Sequence, residues 1–186
     1  MGDILKVTIN LTVICALAGL ILSATWATTD PVRLDMEKQE RDQALKGLIP
    51  SAEKITPVRK IVIEGKEGEI YKAETGGQPV GYIVESSGRG YSSFIRLLVA
   101  VNPDYTVSGV EVLSHAETPG LGDQVGERWF KDQFKGKSPD HLVVIKGETK
   151  DDIQAISGAT ISSKAVTKAV KEAVETLKAE SEKGGL

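Results

Sequence analysis

Small and hydroxyl-bearing residues form a continuous run, SGATISS at residues 157–163, directly before an amphipathic C-terminal segment. The first N–H groups of an α-helix have no partner inside the helix, and the helix dipole adds partial positive charge beside them. Such an end binds phosphate, and Gly158 lets an anion approach the backbone closely. The run therefore predicts a phosphate site. The open alternative is ordinary capping of the helix by one of the hydroxyl groups.

A second candidate segment, HAETPGLG, occupies residues 115–122. Its proline is rigid and its glycines are permissive, which suits a turn that approaches a flat ligand closely. His115 and Glu117 alone make a weak metal signal, so an exposed histidine at the end of a strand is the favoured interpretation of His115. His141 opens a predicted strand and indicates no chemistry.

Composition excludes several classes of site. The chain has 186 residues and a formal net charge of −3, from 23 Lys and Arg against 26 Asp and Glu. Nucleic-acid-binding domains normally carry a basic surface, so this balance argues against a nucleic-acid partner. Cys15 is the only cysteine in the sequence, which excludes a disulfide framework and a Cys-x-x-Cys cluster. No metal site is predicted.

The N-terminal segment between Val7 and Thr29 contains no charged residue over 23 positions. As a helix it would be roughly 34 Å long, enough to cross a hydrocarbon core of ~30 Å. A cleaved signal peptide is the alternative, with small residues near Ala24 for a peptidase. An uncleaved anchor is favoured because the apolar run exceeds the usual ~7–15 residues of a signal core.

Charge around this segment does not decide its orientation. Lys6 precedes it, whereas Arg33, Lys38 and Arg41 follow it, which by a simple count would place the following domain in the cytoplasm. The rule weakens for long translocated domains. Four regions are predicted along the chain: a transmembrane anchor at residues 1–29, a stalk or covering helix with a linker at 30–58, a domain at 59–180 and a flexible tail at 181–186.

The elements that must position the two motifs form an α+β pattern. Asp30 and Pro31 predict the start of a charged helix that ends near Gly47. Five strands are predicted at residues 60–65, 69–74, 79–86, 92–102 and 106–114. A short helix at 126–134, a strand at 141–146 and a long amphipathic helix up to Leu177 follow. Successive strands predict a mixed or antiparallel sheet packed with helices.

The two motifs, in this order and about forty residues apart, resemble those of the covalent FMN-binding domain family. In that family the threonine of the second motif carries FMN through a phosphoester bond. The resemblance is strongest from Gly88 to Leu177, although the glycine-rich stretch that the family has before the strand predicted at 92–102 is reduced to GRGYSS at 88–93. A single span before so small a domain is similar to the G subunits of Rnf ion-translocating ferredoxin:NAD oxidoreductase complexes. These are related to the C subunits of sodium-pumping NADH:quinone reductases.

The resemblance implies that FMN is bound covalently to Thr160. Further cofactor-binding residues are expected in both motifs: Ser157, Gly158, Ala159, Ile161, Ser162, Glu117, Thr118, Gly120 and Leu121. Two interpretations of Glu117 stay open, a carboxylate beside the flavin ring or phosphate and a simple cap of its own turn. Trp129 and Phe130 are either core residues of a short helix or partners that stack on the ring.

The resemblance also implies a function. The chain would be a membrane-anchored electron-transfer subunit of an Rnf complex, with membrane, iron–sulfur and flavin subunits as partners and a flavin transferase for maturation. Its FMN domain would lie outside the cytoplasm, on the cell (inner) membrane. No nucleotide fingerprint is present, so catalysis is expected to belong to the assembly. The alternatives are the equivalent subunit of a sodium-pumping quinone reductase and an assembly anchor without flavin.

Overall fold

A computed structural model describes residues 2–63 and 65–184, which form two compact units. The first unit ends at Arg41 and the second begins at Asp42. Elements in chain order are α1 (Gly2–Leu48), β1 (Lys54–Ile63), β2 (Lys66–Thr75), β3 (Gln78–Arg89), β4 (Phe94–Val101), β5 (Val107–Ser114), α2 (Arg128–Lys131), β6 (Val144–Ile145), β7 (Ile153–Gln154) and α3 (Thr160–Glu182). Short 3-10 helices lie at Gly122–Gly126, Asp132–Phe134 and Pro139–His141.

Helix α1 is 47 residues long, and in the described part of the chain it is the one helix long and apolar enough to cross a membrane. Threonines along its apolar part donate to carbonyls one turn earlier, as Thr8 does to Ile4 and Thr25 to Ile21, at 2.9 and 2.8 Å. These bonds satisfy the hydroxyl groups without a partner from outside the helix. The helix therefore fits a single-pass membrane anchor.

The predicted helix start at Asp30 is wrong, because Pro31 lies inside α1. A proline removes one N–H donor, and the turns on both sides of it continue the helix. Asp30 does not cap a new helix; its carboxylate accepts from Arg33 at 3.0 Å, and Arg33 also donates to Glu37 at 3.0 Å. This local ion-pair network supports the turn that follows the proline.

Five strands form one antiparallel sheet in the order β1-β2-β3-β4-β5, which confirms the sheet predicted from the sequence. Strand β1 begins at Lys54, inside the predicted linker, because Lys54 pairs with Glu74 at the far end of β2. The turn between β4 and β5 is closed by Asn102, whose N–H donates to the Thr106 carbonyl at 2.8 Å. This meander makes β3 the central strand, and its C-terminal half, at Ser86 and Gly88, lies against α3.

Two segments after β5 differ from the prediction. The helix predicted at 126–134 is divided into α2 and a 3-10 helix, because four helical residues are followed by tighter turns. The strand predicted at 141–146 is only β6, which pairs in parallel with β7. His141 ends a 3-10 helix instead of opening a strand, since Pro139 at the start of that turn fixes a helical φ.

Helix α3 packs against β3 and β4 and closes the main core. Its apolar face is buried at Val166, Val170, Val174 and Leu177, each at most 1% exposed. Burial of each such side chain contributes about 1.5–3 kcal/mol. The opposite face of the sheet packs against Leu45 and Ile49 at the end of α1. α3 continues through Glu182 into the predicted flexible tail, of which residues 185–186 lie outside the described residues.

At Gly88 on β3 the sheet and α3 approach each other closely. A Cβ atom at this position would lie 2.2 Å from the carbonyl oxygen of Ala165 and 3.2 Å from Cβ of Ala169. Ser86, also on β3, donates its hydroxyl to the Ala169 carbonyl at 3.0 Å. The absence of a side chain at Gly88 therefore sets how near α3 lies to the central strand.

We expect Gly88→Ala to lower the free energy of unfolding by about 1–3 kcal/mol, because the methyl group must push α3 away from β3. Gly47→Ala is the matched control, since nothing lies within 4 Å of a Cβ atom there. Alanine in a helix should leave stability equal or raise it by up to about 1 kcal/mol. Urea unfolding of the full chain in detergent, followed by circular dichroism, measures both. Equal stability of the two variants would contradict the close approach.

Candidate functional site

Helix α3 begins at Thr160 and has no side-chain cap. The residue before it, Ala159, has φ −128° and ψ 42°, and its carbonyl accepts the first helical bond from Ser163 N at 3.0 Å. Among the described residues, no acceptor pairs with the backbone N–H groups of Thr160, Ile161 and Ser162. The N-cap of α3 is thus an alanine, and no hydroxyl group of residues 157–163 caps the helix at that position. The three N–H groups and the positive end of a 23-residue helix are available to an anion.

The hydroxyl groups of this run have different surroundings. Ser162 and Ser163 are 1% and 0% exposed, and both are engaged: Ser162 donates to Glu117, and Ser163 accepts from Ile156 N and donates to the Ala159 carbonyl. Ser157 is exposed. Thr160 is half-buried, and its hydroxyl has no hydrogen bond to any residue that the structure describes.

Gly158 connects the run to the second predicted segment. Its φ of +76° lies in the left-handed region, which glycine adopts without strain. A Cβ atom here would lie 3.0 Å from Cδ2 of Leu121. The sequence therefore folds so that the turn at 118–121 lies over the backbone just before α3.

Glu117 holds three segments of the chain together. Its side chain is 5% exposed, and its Oε1 accepts from the N–H groups of Ser92 and Ser93 at 3.0 and 3.1 Å. Its Oε2 accepts from Tyr91 N at 3.0 Å and from the Ser162 hydroxyl at 2.5 Å. The carboxylate therefore caps the loop between β3 and β4, not its own turn. It lines the candidate site, but its hydrogen bonds serve the framework.

Burial by itself raises the pKa of Glu117, because the charged form loses hydration. The Ser162 hydroxyl and three backbone N–H groups of the loop donate to the charged form and outweigh the burial. The pKa of Glu117 is therefore held below its ordinary value. The group is a carboxylate at neutral pH and accepts all four hydrogen bonds.

Two glycines leave room for this carboxylate. A Cβ atom at Gly90 would lie 2.5 Å from Oε1 of Glu117. At Gly122 it would lie 2.8 Å from Cβ of Glu117 and 2.9 Å from the Ser162 hydroxyl. Neither glycine has a positive φ, so close packing against Glu117, and not backbone conformation, requires them.

The turn after Glu117 is closed by its own hydrogen bonds. Leu121 N donates to the Thr118 carbonyl at 3.2 Å, and Gly120 N donates to the Asp123 carboxylate at 2.9 Å. Gly120 has φ +73°, which the turn requires. Its N–H group is thus used within the turn.

These segments enclose a cleft of about 450 Å³. The residues that line it are Tyr91, Glu117, Thr118, Leu121, Gly122, Gly158, Ala159, Thr160, Ile161 and Ser162. The structure thus brings together the site residues predicted from the sequence, except Ser157 and Gly120. Tyr91 and Gly122 were not among the named cofactor-binding residues, although Gly122 ends the second motif. The position of Tyr91 in a glycine-containing loop between two strands is the signal that could have indicated it.

The aromatic pair after the turn does not line the cleft. Phe130 is fully buried in the main core, with its ring edge-to-face with Phe134 at 5.5 Å. Trp129 is 46% exposed and contacts Phe130 at 5.8 Å between ring centroids. The core interpretation therefore holds for Phe130, and Trp129 lies at the surface beside it.

The cleft has the chemistry of a site for a phosphate joined to a flat apolar group. Its lining among the described residues contains no Lys, Arg or His, so anion binding depends on the backbone N–H groups at the start of α3. Leu121 and Ile161 are 44% and 54% exposed and offer apolar edges. An antiparallel sheet backed by a long helix, with such a cleft at the helix start, defines a class of domain that binds a phosphate group beside apolar side chains.

Comparison with known proteins identifies the family within this class. The family model of the FMN-binding domain matches residues 90–175. The chain is 41% identical to the G subunit of the proton-translocating ferredoxin:NAD(+) oxidoreductase complex of Clostridium ljungdahlii, over 94% of this chain and 91% of that protein. It is 35% identical to the G subunit of the Na(+)-translocating complex of Acetobacterium woodii, over 92% and 90%.

A solved structure has the same fold. The chain resembles NqrC of Shewanella oneidensis with a TM-score of 0.50 and 27% identity, over 70% of this chain and 73% of that chain. The likeness to NqrC fits a related family, whereas the relatives from C. ljungdahlii and A. woodii match almost the whole chain. This chain belongs to the family of G subunits of ion-translocating ferredoxin:NAD oxidoreductase complexes.

We expect Glu117→Gln to lower the free energy of unfolding at neutral pH by about 1–3 kcal/mol, because buried N–H donors lose a charged acceptor. Because the pKa of Glu117 is lower in the folded protein than in the unfolded chain, ionised Glu117 stabilises the fold at pH values above its unfolded-state pKa. This stabilisation is lost as the pH falls through the folded-state pKa of Glu117. The difference between wild type and variant should therefore shrink as pH falls below about 4.3.

Urea unfolding across this pH range measures the effect. Glu127→Gln is the matched control, since Glu127 is exposed and its side chain makes no hydrogen bond or ion pair with the described residues. The control should follow wild type at every pH. A pH-independent difference between wild type and Glu117→Gln would contradict the ionised, hydrogen-bonded carboxylate.

Proposed function

We propose that this chain is a membrane-anchored electron-transfer subunit of an ion-translocating ferredoxin:NAD oxidoreductase complex and carries FMN covalently bound to Thr160. Membership of this family of G subunits and the matching FMN-binding domain support the class of function. FMN, when bound, accepts and donates one or two electrons, and the chain supplies attachment and orientation.

The single observation that carries the attachment site is the position of the Thr160 hydroxyl. It lines the cleft, makes no hydrogen bond to the described residues and belongs to the first residue of α3. In the proposed step the flavin transferase would use a flavin dinucleotide as donor: the bond from Oγ1 to the phosphorus of the FMN half forms, the phosphoanhydride bond of the dinucleotide breaks, the hydroxyl proton is lost and the nucleoside monophosphate leaves. The adjacent N–H groups of Thr160, Ile161 and Ser162 would then donate to the phosphate oxygens.

The neighbouring hydroxyl groups are less suited to this role. Ser162 and Ser163 are buried, and their hydroxyl groups are engaged in hydrogen bonds within the protein. Ser157 is not among the residues that line the cleft. Access to the cleft and the resemblance of the motif both support Thr160 as the attachment residue.

The cleft also suits the rest of the cofactor. Gly158 has no side chain to obstruct a phosphate beside α3, and Leu121 and Ile161 provide apolar edges for a flat ring. Thr118 lines the same cleft and brings a hydroxyl group to it. FMN bound here would therefore meet hydrogen-bond donors at its phosphate and apolar side chains at its ring.

The proposed partners are the membrane, iron–sulfur and flavin subunits of the same complex, together with a flavin transferase for maturation. The names of the relatives from C. ljungdahlii and A. woodii place those proteins in ferredoxin:NAD(+) oxidoreductase complexes. This chain is expected to take part in the same electron transfer, with catalysis belonging to the whole assembly.

Thr160→Val removes the acceptor hydroxyl at nearly constant volume. When the full chain is co-expressed with a flavin transferase, the wild-type band should fluoresce in a denaturing gel and the variant band should be dark. Ser157→Ala is the matched control and should fluoresce like wild type. Peptide mass spectrometry that locates flavin on Ser157 or Ser162 would show that the attachment residue is wrong.

The domain after α1 is proposed to lie outside the cytoplasm. The sequence beyond Cys15 contains no cysteine, which suits an oxidising compartment, and a long domain is not oriented by the few charges near the span. A phosphatase fused after Leu186, active only outside the cytoplasm, should be active. A cytoplasm-dependent fluorescent reporter at the same position should be dark, and its fluorescence would contradict the orientation.

A further inference from the structure

An exposed aromatic side chain lies at the edge of the cleft. Tyr91 is 72% exposed, while Tyr71 is buried and Tyr82 and Tyr105 are half-buried. In the described lining of the cleft, Tyr91 is the one aromatic residue, and its hydroxyl makes no hydrogen bond to the described residues. Its ring therefore contributes little to the core and is available to a ligand.

The backbone under this ring is fixed. The N–H groups of Tyr91, Ser92 and Ser93 all donate to the Glu117 carboxylate at 3.0–3.1 Å. The N–H group of Gly90 donates to the Ser93 carbonyl at 2.8 Å and closes the loop. The exposure of Tyr91 is thus a property of a loop held by four hydrogen bonds.

One oxygen atom connects this loop to the attachment site. Oε2 of Glu117 accepts from Tyr91 N at 3.0 Å and from the Ser162 hydroxyl at 2.5 Å, and Ser162 lies two residues after Thr160. The positions of Tyr91 and of the first turn of α3 are therefore set by the same atom. A group attached at Thr160 that extends into the cleft shares its space with the Tyr91 ring.

We propose that Tyr91 packs its ring against the isoalloxazine ring of FMN and is a positioning residue for the flavin. The inference rests on the function proposed above. Aromatic rings prefer offset-stacked or edge-to-face contacts, with centroids about 4.5–7 Å apart. Leu121 and Ile161 line the same cleft with apolar side chains, and Tyr91 supplies the aromatic surface that the rest of the lining lacks.

Flavin fluorescence reports this contact. A phenol ring against an excited flavin donates an electron that then returns, so the flavin is quenched with no net reaction. In the full chain, co-expressed with a flavin transferase and purified in detergent, Tyr91→Leu should lengthen the flavin fluorescence lifetime several-fold and shift the flavin midpoint potential. Leucine keeps the backbone N–H group that donates to Glu117. Tyr91→Trp should restore quenching.

Trp129→Leu is the matched control, because it removes another exposed aromatic residue that does not line the cleft, and it should leave lifetime and potential unchanged. Unchanged lifetime and potential in Tyr91→Leu, with flavin attached, would overturn the proposal. So would a lifetime difference that persists after denaturation, since the contact exists only in the folded domain. A wild-type chain without flavin after denaturation would instead refute the attachment on which the inference rests.

Discussion

The buried carboxylate of Glu117 is the interaction on which the site depends. It accepts hydrogen bonds from the loop between β3 and β4 and from the start of α3, and its own backbone begins the turn at 118–121. A buried charge is tolerated only when its hydrogen bonds are complete, and here four donors complete them. Three segments far apart in the sequence thereby take one arrangement, and the cleft is the space between them.

Much of the fold could be predicted because its signals are local. The alternation of β-branched residues defined the five strands, and the spacing of Val166, Val170 and Val174 defined the face of α3 that the core buries. The site motif was predictable for the same reason, since small residues before a helix leave its first N–H groups free. The resemblance to FMN-binding domains then indicated which hydroxyl to consider.

What the sequence did not indicate depends on contacts between distant residues. The bonds of Glu117 to the loop at 90–93 join positions about 25 residues apart, and no local pattern reveals them. The loop that contains Tyr91 could be recognised in the sequence, but the place of Tyr91 in the cleft follows from those bonds and could not. At Pro31 a local pattern led to a wrong prediction. Asp30 and Pro31 have the pattern of a helix start, but they lie inside α1, whose turns continue on both sides of the proline.

The close approach at Gly88 has a consequence for electron transfer. Because β3 and α3 approach each other there through backbone atoms, the N-terminal part of α3, which contains the proposed attachment residue Thr160, is packed directly against the central strand. For a flavin attached at Thr160 as proposed, such packing would leave little room for the protein to rearrange when the charge of the flavin changes, and the reorganisation energy would be low. The rate of electron exchange would then be governed mainly by the distance to the next carrier, and bringing that carrier near is a task for the assembly.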